Sequence, residues 1–112
     1  MPASSIKRIN EQISRGISAI IREMKDPRLN TNLLSIVKVE TSSDLSISKV
    51  FLSSIDGLES AKAAEKVLKG ASGYIKKELA QRAKLRKIPN LDFKSTDSIE
   101  YASSISKILS EL

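Results

Sequence analysis

Six cations crowd one twelve-residue stretch: Lys76, Lys77, Arg82, Lys84, Arg86 and Lys87, with Glu78 the lone acid among them. That stretch carries +5 of the chain's formal +6. The other 100 residues hold 13 basic and 12 acidic side chains and are nearly neutral. The chemistry open to such a cluster is electrostatic. A local positive field draws in polyanions and speeds their encounter, and neutralising phosphates releases condensed counterions. Nucleic acid is the first partner this pattern selects. A solvated helix face followed by a basic loop is the plain structural alternative.

Catalysis has little to work with. The chain has no Cys and no His. Thiol nucleophiles, disulfides and thiolate metal sites are excluded, and the usual base near neutral pH and the commonest metal ligand are missing. Asp26, Asp44, Asp56, Asp92 and Asp97 each sit beside turn-forming residues, where carboxylates build turns and caps. Glu65 and Glu78 neighbour lysines on expected helices, the setting of solvated ion pairs. There is no GxxxxGK[ST] phosphate loop and no GxGxxG. The expectation is a binding protein without turnover, cofactor, metal or small-molecule substrate. The aromatic set is Phe51, Tyr74, Phe93 and Tyr101, which lacks the paired stacking signature of an RRM sheet. Phe51 is expected in the core, with stacking a base on a sheet face as the alternative.

The elements that must position the cations follow from periodicity. Ile6, Ile9, Ile13, Ile17, Ile20 and Met24 recur at three and four residues, one stripe of an amphipathic helix. Ser4 or Ser5 is its expected N-cap, Glu11–Arg15 a favourable i, i+4 pair, and Asp26-Pro27 its end. Gly16 inside it predicts close approach of a neighbouring element. Leu33 to Thr41 and Leu45 to Ile55, separated by Ser42-Ser43-Asp44, predict a β-hairpin. Leu34, Ile36, Val37 and Val39 cannot share one face, which predicts a bulge near Val37-Lys38. Ala61, Ala64, Leu68, Ala71, Ile75 and Leu79 keep one helical phase from about Ser60 to Arg82. Gly70 and Gly73 interrupt it and predict a kink or two short helices in phase. Leu91-Asp92-Phe93 follows as a short strand, with Pro89 at its start or on an edge. Ser98 caps an expected last helix bearing Ile99, Ala102, Ile105, Leu109 and Leu112.

Length and composition place residues 1–112 in one domain. No apolar stretch is long enough for a membrane span, and no secretory signal opens the chain. With zero cysteines, a reducing cytoplasmic setting is expected. The fold class is α+β, ordered α-β-β-α-α-β with a C-terminal helix. Helices cover one face of a three-stranded sheet.

That order resembles the type II KH domain. The junction Gly70-Ala71-Ser72-Gly73 fits by letter the GxxG loop that clamps nucleotide backbone. Taken as Ala71-Ser72-Gly73, it resembles the Ala-x-Gly interhelical kink of the ribosome-binding factor A family. Four further segments resemble that family in order. They are Glu23-Met24-Lys25-Asp26-Pro27-Arg28-Leu29; the hairpin Val39 to Leu45 with Lys49-Val50-Phe51-Leu52; Gly73 to Leu79; and Leu85 to Phe93. Asp97-Ser98-Ile99 resembles its start of the last helix. Ser48 departs from the family's usual Ala, and Lys76-Lys77 replaces an Arg-bearing site. The long charged tail of some members is expected to be absent.

The resemblance implies a factor that binds the free small (30S) ribosomal subunit and its 16S rRNA late in maturation. It implies help with rRNA processing near the 5′-terminal helix and support of growth in the cold, as a monomer. The basic residues named above, with Arg28 beside them, are the expected RNA contacts. Ala71, Ser72 and Gly73 are the expected kink, its small residues letting two helices meet sharply. A general nucleic-acid module and a basic adaptor for an acidic protein are the alternatives.

Overall fold

The computed structural model describes residues 3–29, 33–82, 85 and 87–96. The expected last helix, and Lys84 and Arg86, lie outside the described residues.

The first helix, α1, spans Ala3–Met24. Ser4 and Ser5 already lie inside it, so neither is its N-cap. Its stripe buries Ile13, Ile17, Ile20 and Ile21, each contributing on the order of 1.5–3 kcal/mol of transfer free energy. Glu11 and Arg15 pair at 3.7 Å. The helix stops at Lys25, whose φ of 50° is left-handed, one residue before the Asp26-Pro27 break.

Two strands follow, β1 (Leu34–Thr41) and β2 (Ile47–Ser54), paired antiparallel. Ile36 faces Leu52 and Lys38 faces Phe51, so Val37 is the extra residue of a bulge. That one residue lets Leu34, Ile36 and Val39 share a face. The strands are shorter than their apolar runs suggested. Leu45 adopts φ 60° and joins the turn, where the Ser42 and Ser46 hydroxyls donate to Asp44 Oδ1 at 2.8 and 2.7 Å. A third strand, β3 (Asn90–Ser95), runs parallel to β2 and completes a mixed sheet in the order β1-β2-β3. Pro89, which cannot donate to a ladder, stands just before it.

The helical phase after Gly57 (φ 109°) breaks once. Helix α2 spans Leu58–Gly70 and α3 spans Ser72–Arg82, with Ala71 at φ −100°, ψ 7° between them. The Ala71 N–H is shared by the Val67 and Leu68 carbonyls, both at 3.1 Å, and its own carbonyl accepts from Ile75 N at 2.9 Å. Hydrogen bonding therefore passes through the bend, and Ala61, Ala64, Leu68, Ile75 and Leu79 stay buried on both sides of it.

The helices lie over the sheet face that carries Val39, Val50, Leu52 and Phe93, and these side chains join Ile13, Ile17, Leu68, Ile75 and Leu79 in one core. Ser48 is also fully buried there. Its hydroxyl is satisfied by Thr41 across the ladder at 2.8 Å, which removes the penalty of burying it. Phe51 differs from expectation. It is half-buried on the opposite sheet face, among Lys38 and Lys94, because its position in β2 alternates with Val50 and Leu52. Glu65 is no mere surface ion pair either: its Oε1 accepts the Ser95 N–H at 2.7 Å and ties the end of β3 to α2. Among the described residues no helix is long and apolar enough to cross a membrane.

Candidate nucleic-acid interface

Helix α3 presents three of the five described candidate cations, Lys76, Lys77 and Arg82, and its pitch divides them. Its inner edge is Ile75 and Leu79, both fully buried. Lys76 and Arg82 are six residues apart, so they project about 120° apart around the axis. Lys76 reaches toward β3, where its Nζ donates to Asn90 Oδ1 at 2.8 Å. Lys77 points into solvent. Arg82 turns to α1 and forms an ion pair with Glu23.

Two groups result. The first lies where β3 begins. Asn90 N donates to Ser46 O at 3.0 Å, which brings Lys76 beside the hairpin turn. Lys87, also exposed, is close enough to act on Asp44. The Asp44 carboxyl is pushed down to about 2, first by the Ser46 and Ser42 hydroxyls and the Ser46 N–H, then by the Lys87 charge.

The second group surrounds the end of α1. Asp26 accepts from the Arg28 N–H at 2.9 Å, from its Nε at 3.0 Å and from its Nη2 at 2.7 Å. This clasp is an Asx turn with a guanidinium fork on it, and it holds Asp26 at about 2. Arg82 holds the Glu23 carboxyl below its ordinary range through their hydrogen bond. Tyr74 stands between these pairs, half exposed at 51%. Its phenol is held above the ordinary value by the hydrogen bond to Glu78 and then by that carboxylate's charge.

The sequence cluster is thus two surfaces flanking α3, with Lys77 between them. Arg28 joins the Arg82 side. Lys84 and Arg86 lie outside the described residues. The bend falls at Ala71, the first residue of Ala71-Ser72-Gly73. A Cβ built on Gly73 meets nothing within 4 Å, so the bend does not depend on a missing side chain there. Sequence reasoning missed Tyr74 as a surface feature. Its position one residue before the buried Ile75 was the available signal.

Fold and surface together define a small α+β binding domain with basic groups on both flanks of a bent helix pair. A family model described as ribosome-binding factor A matches residues 5–109, and the chain belongs to that family. The ribosome-binding factor A of Caldicellulosiruptor saccharolyticus is 45% identical over 107 residues, 94% of this chain and 79% of the relative. That of Brevibacillus brevis is 40% identical over 113 residues, 100% of this chain and 92% of the relative. The crystal structure of the Thermus thermophilus factor superposes with a TM-score of 0.69 at 28% identity, covering 80% of this chain and 94% of the other. A second T. thermophilus structure is a homology model of the factor fitted into the cryo-EM map of a 30S complex. It matches with a TM-score of 0.62 at 29% identity, covering 76% of this chain and 88% of the other. By name the family is one of binding factors.

Proposed function

We propose that this chain is a single KH-like RNA-binding domain that docks on the free small ribosomal subunit through 16S rRNA and assists the subunit's late maturation. The match to the ribosome-binding factor A model across residues 5–109 carries the reading. The T. thermophilus relative fitted into a 30S map supports the partner. The chain acts in the cytoplasm as a monomer, by binding alone. It aids processing of 16S rRNA near the 5′-terminal helix and sustains growth in the cold.

Lys76, Lys77, Arg82, Lys84, Arg86, Lys87 and Arg28 would contact phosphates, with Ala71, Ser72 and Gly73 shaping the bend that presents them. Their attraction is electrostatic, so affinity falls steeply as salt rises. The deciding experiment is co-sedimentation with free small subunits, large subunits and whole ribosomes over a salt series. Selective, salt-sensitive recovery with free small subunits is expected. Equal recovery with unrelated duplex RNA marks a general nucleic-acid module instead, and a complex that survives nuclease marks a protein adaptor. Absence from every pellet sinks the reading.

A further inference from the structure

Exposed aromatic side chains are ordinary when scattered over a surface. Tyr74 is not of that kind. It sits one residue before the fully buried Ile75 on α3, yet stays 51% exposed. Glu78 stands one helical turn on, close enough to act on its phenol. Across from it lies a hollow lined by Met24, Lys25, Asp26, Pro27 and Arg28.

The wall of that hollow is shaped by local backbone geometry and hydrogen bonds. Lys25 holds a left-handed φ of 50°, a conformation a non-glycine residue keeps only when its surroundings impose it. Asp26 then locks Arg28 through backbone and guanidinium together. The Arg28 guanidinium is fixed by two of its nitrogens while its side chain remains 69% exposed. It is a second flat surface of the kind on which bases stack.

The charges around the ring decide what fits. Two of the acids nearby are paired, Asp26 with Arg28 and Glu23 with Arg82, and Glu78 faces the Tyr74 phenol. Among the described residues Lys25 and Lys77 have no ion-pair or hydrogen-bond partner, and Lys77 follows Tyr74 by three residues on α3, on the same side of the helix. A bare anion would meet three carboxylates there, and a duplex offers no exposed base face. A π surface flanked by two uncommitted ammonium groups suits a flat, uncharged ring on a charged backbone.

We infer that the hollow between the end of α1 and the start of α3 seats one unpaired RNA base, stacked on Tyr74, with Lys25 and Lys77 holding the adjoining phosphates. The inference rests on the RNA-binding reading above and adds a single-strand site to it.

The chain has no Trp, so Tyr74→Trp places one selectively excited reporter at the seat. Single-stranded oligouridylate and an RNA duplex of equal length are titrated by filter retention onto the wild type, Tyr74→Leu and Tyr74→Phe. Tyr74→Leu should weaken oligouridylate about tenfold, the loss expected for one stacked base, and leave the duplex unchanged. Tyr74→Phe should bind like the wild type, and the indole of Tyr74→Trp should be quenched by oligouridylate alone. The seat is disproved if a folded Tyr74→Leu, checked by its thermal melt, binds oligouridylate like the wild type. It is equally disproved if the indole emission stays constant while retention shows binding. Failure of the RNA-binding reading has another signature: the wild type then retains neither strand, and the seat falls with it.

Discussion

Gly16 and Gly73 meet α3 under opposite conditions. A Cβ at Gly16 would lie 2.5 Å from Leu79 Cδ1, whereas one at Gly73 would touch nothing within 4 Å. The crossing of α1 over α3 is tight, and the bend between α2 and α3 has room. One residue type therefore has two causes in one layer of the fold. At Gly16 the missing side chain is a steric requirement, because Leu79 is fully buried and cannot swing into solvent. At Gly73 the lost helix propensity is offset by no contact that the glycine permits.

The largest expected effect tests the tight side. Gly16→Ala should destabilise the protein by about 1–3 kcal/mol, the range for overpacking a filled core, as measured by urea unfolding. Adding Leu79→Ala removes the opposing methyl group, so the double variant should lose less than the two single losses combined. Strict additivity would show that the crossing is looser than drawn.

The opposite sign is expected on the slack side. Gly73→Ala should stabilise by up to ~1 kcal/mol, the gap between the two residues in helix propensity. A destabilised variant would mean that the bend needs glycine after all. A stabilised variant with weakened RNA binding would instead revive Gly70-Ala71-Ser72-Gly73 as a clamp on nucleotide backbone.

Smaller changes come from the ties that brace the tight side. Arg82→Ala removes the exposed partner of Glu23. It should lower the melting temperature at low salt by less than Gly16→Ala does, and the difference should fade at high salt, where such pairs are screened. The smallest effect is a pH dependence. Asp26 and Asp44 both titrate near 2 in the folded chain, below the ordinary 3.8. Their contribution is complete above the unfolded value and drains away as pH falls from about 4 toward 2. Asp26→Asn combined with Asp44→Asn should flatten the stability profile across that window. An unchanged slope would show that neither turn is held by its carboxylate.

Burial patterns made much of the architecture legible before any coordinates. The Ile13-Ile17-Ile20 stripe, the bulge at Val37 and the shared phase of Ala64, Leu68, Ile75 and Leu79 are local consequences of which side chains must leave water. Gly16 was legible for the same reason, since only close approach explains a glycine inside so apolar a helix. The partners of exposed charges were not. Arg82 and Glu23 are 59 residues apart, and no period links them; α3 merely brings Arg82 to the end of α1. Likewise, twelve neighbouring residues suggested one basic surface, but a helix rotates about 100° per residue, so Lys76 and Arg82 part company. The left-handed Lys25 carried no signal at all, because lysine has no preference for that conformation.

The hitch at Val37 reaches beyond the hairpin. Among the described residues β1 is an outermost strand of its sheet, and a long flat rim is a template on which other chains can zip. One surplus residue twists that rim out of register and breaks its regular spacing of donors and acceptors. A neighbouring molecule then finds no continuous ladder to extend, which guards a crowded solution of this protein against fibre growth along that side.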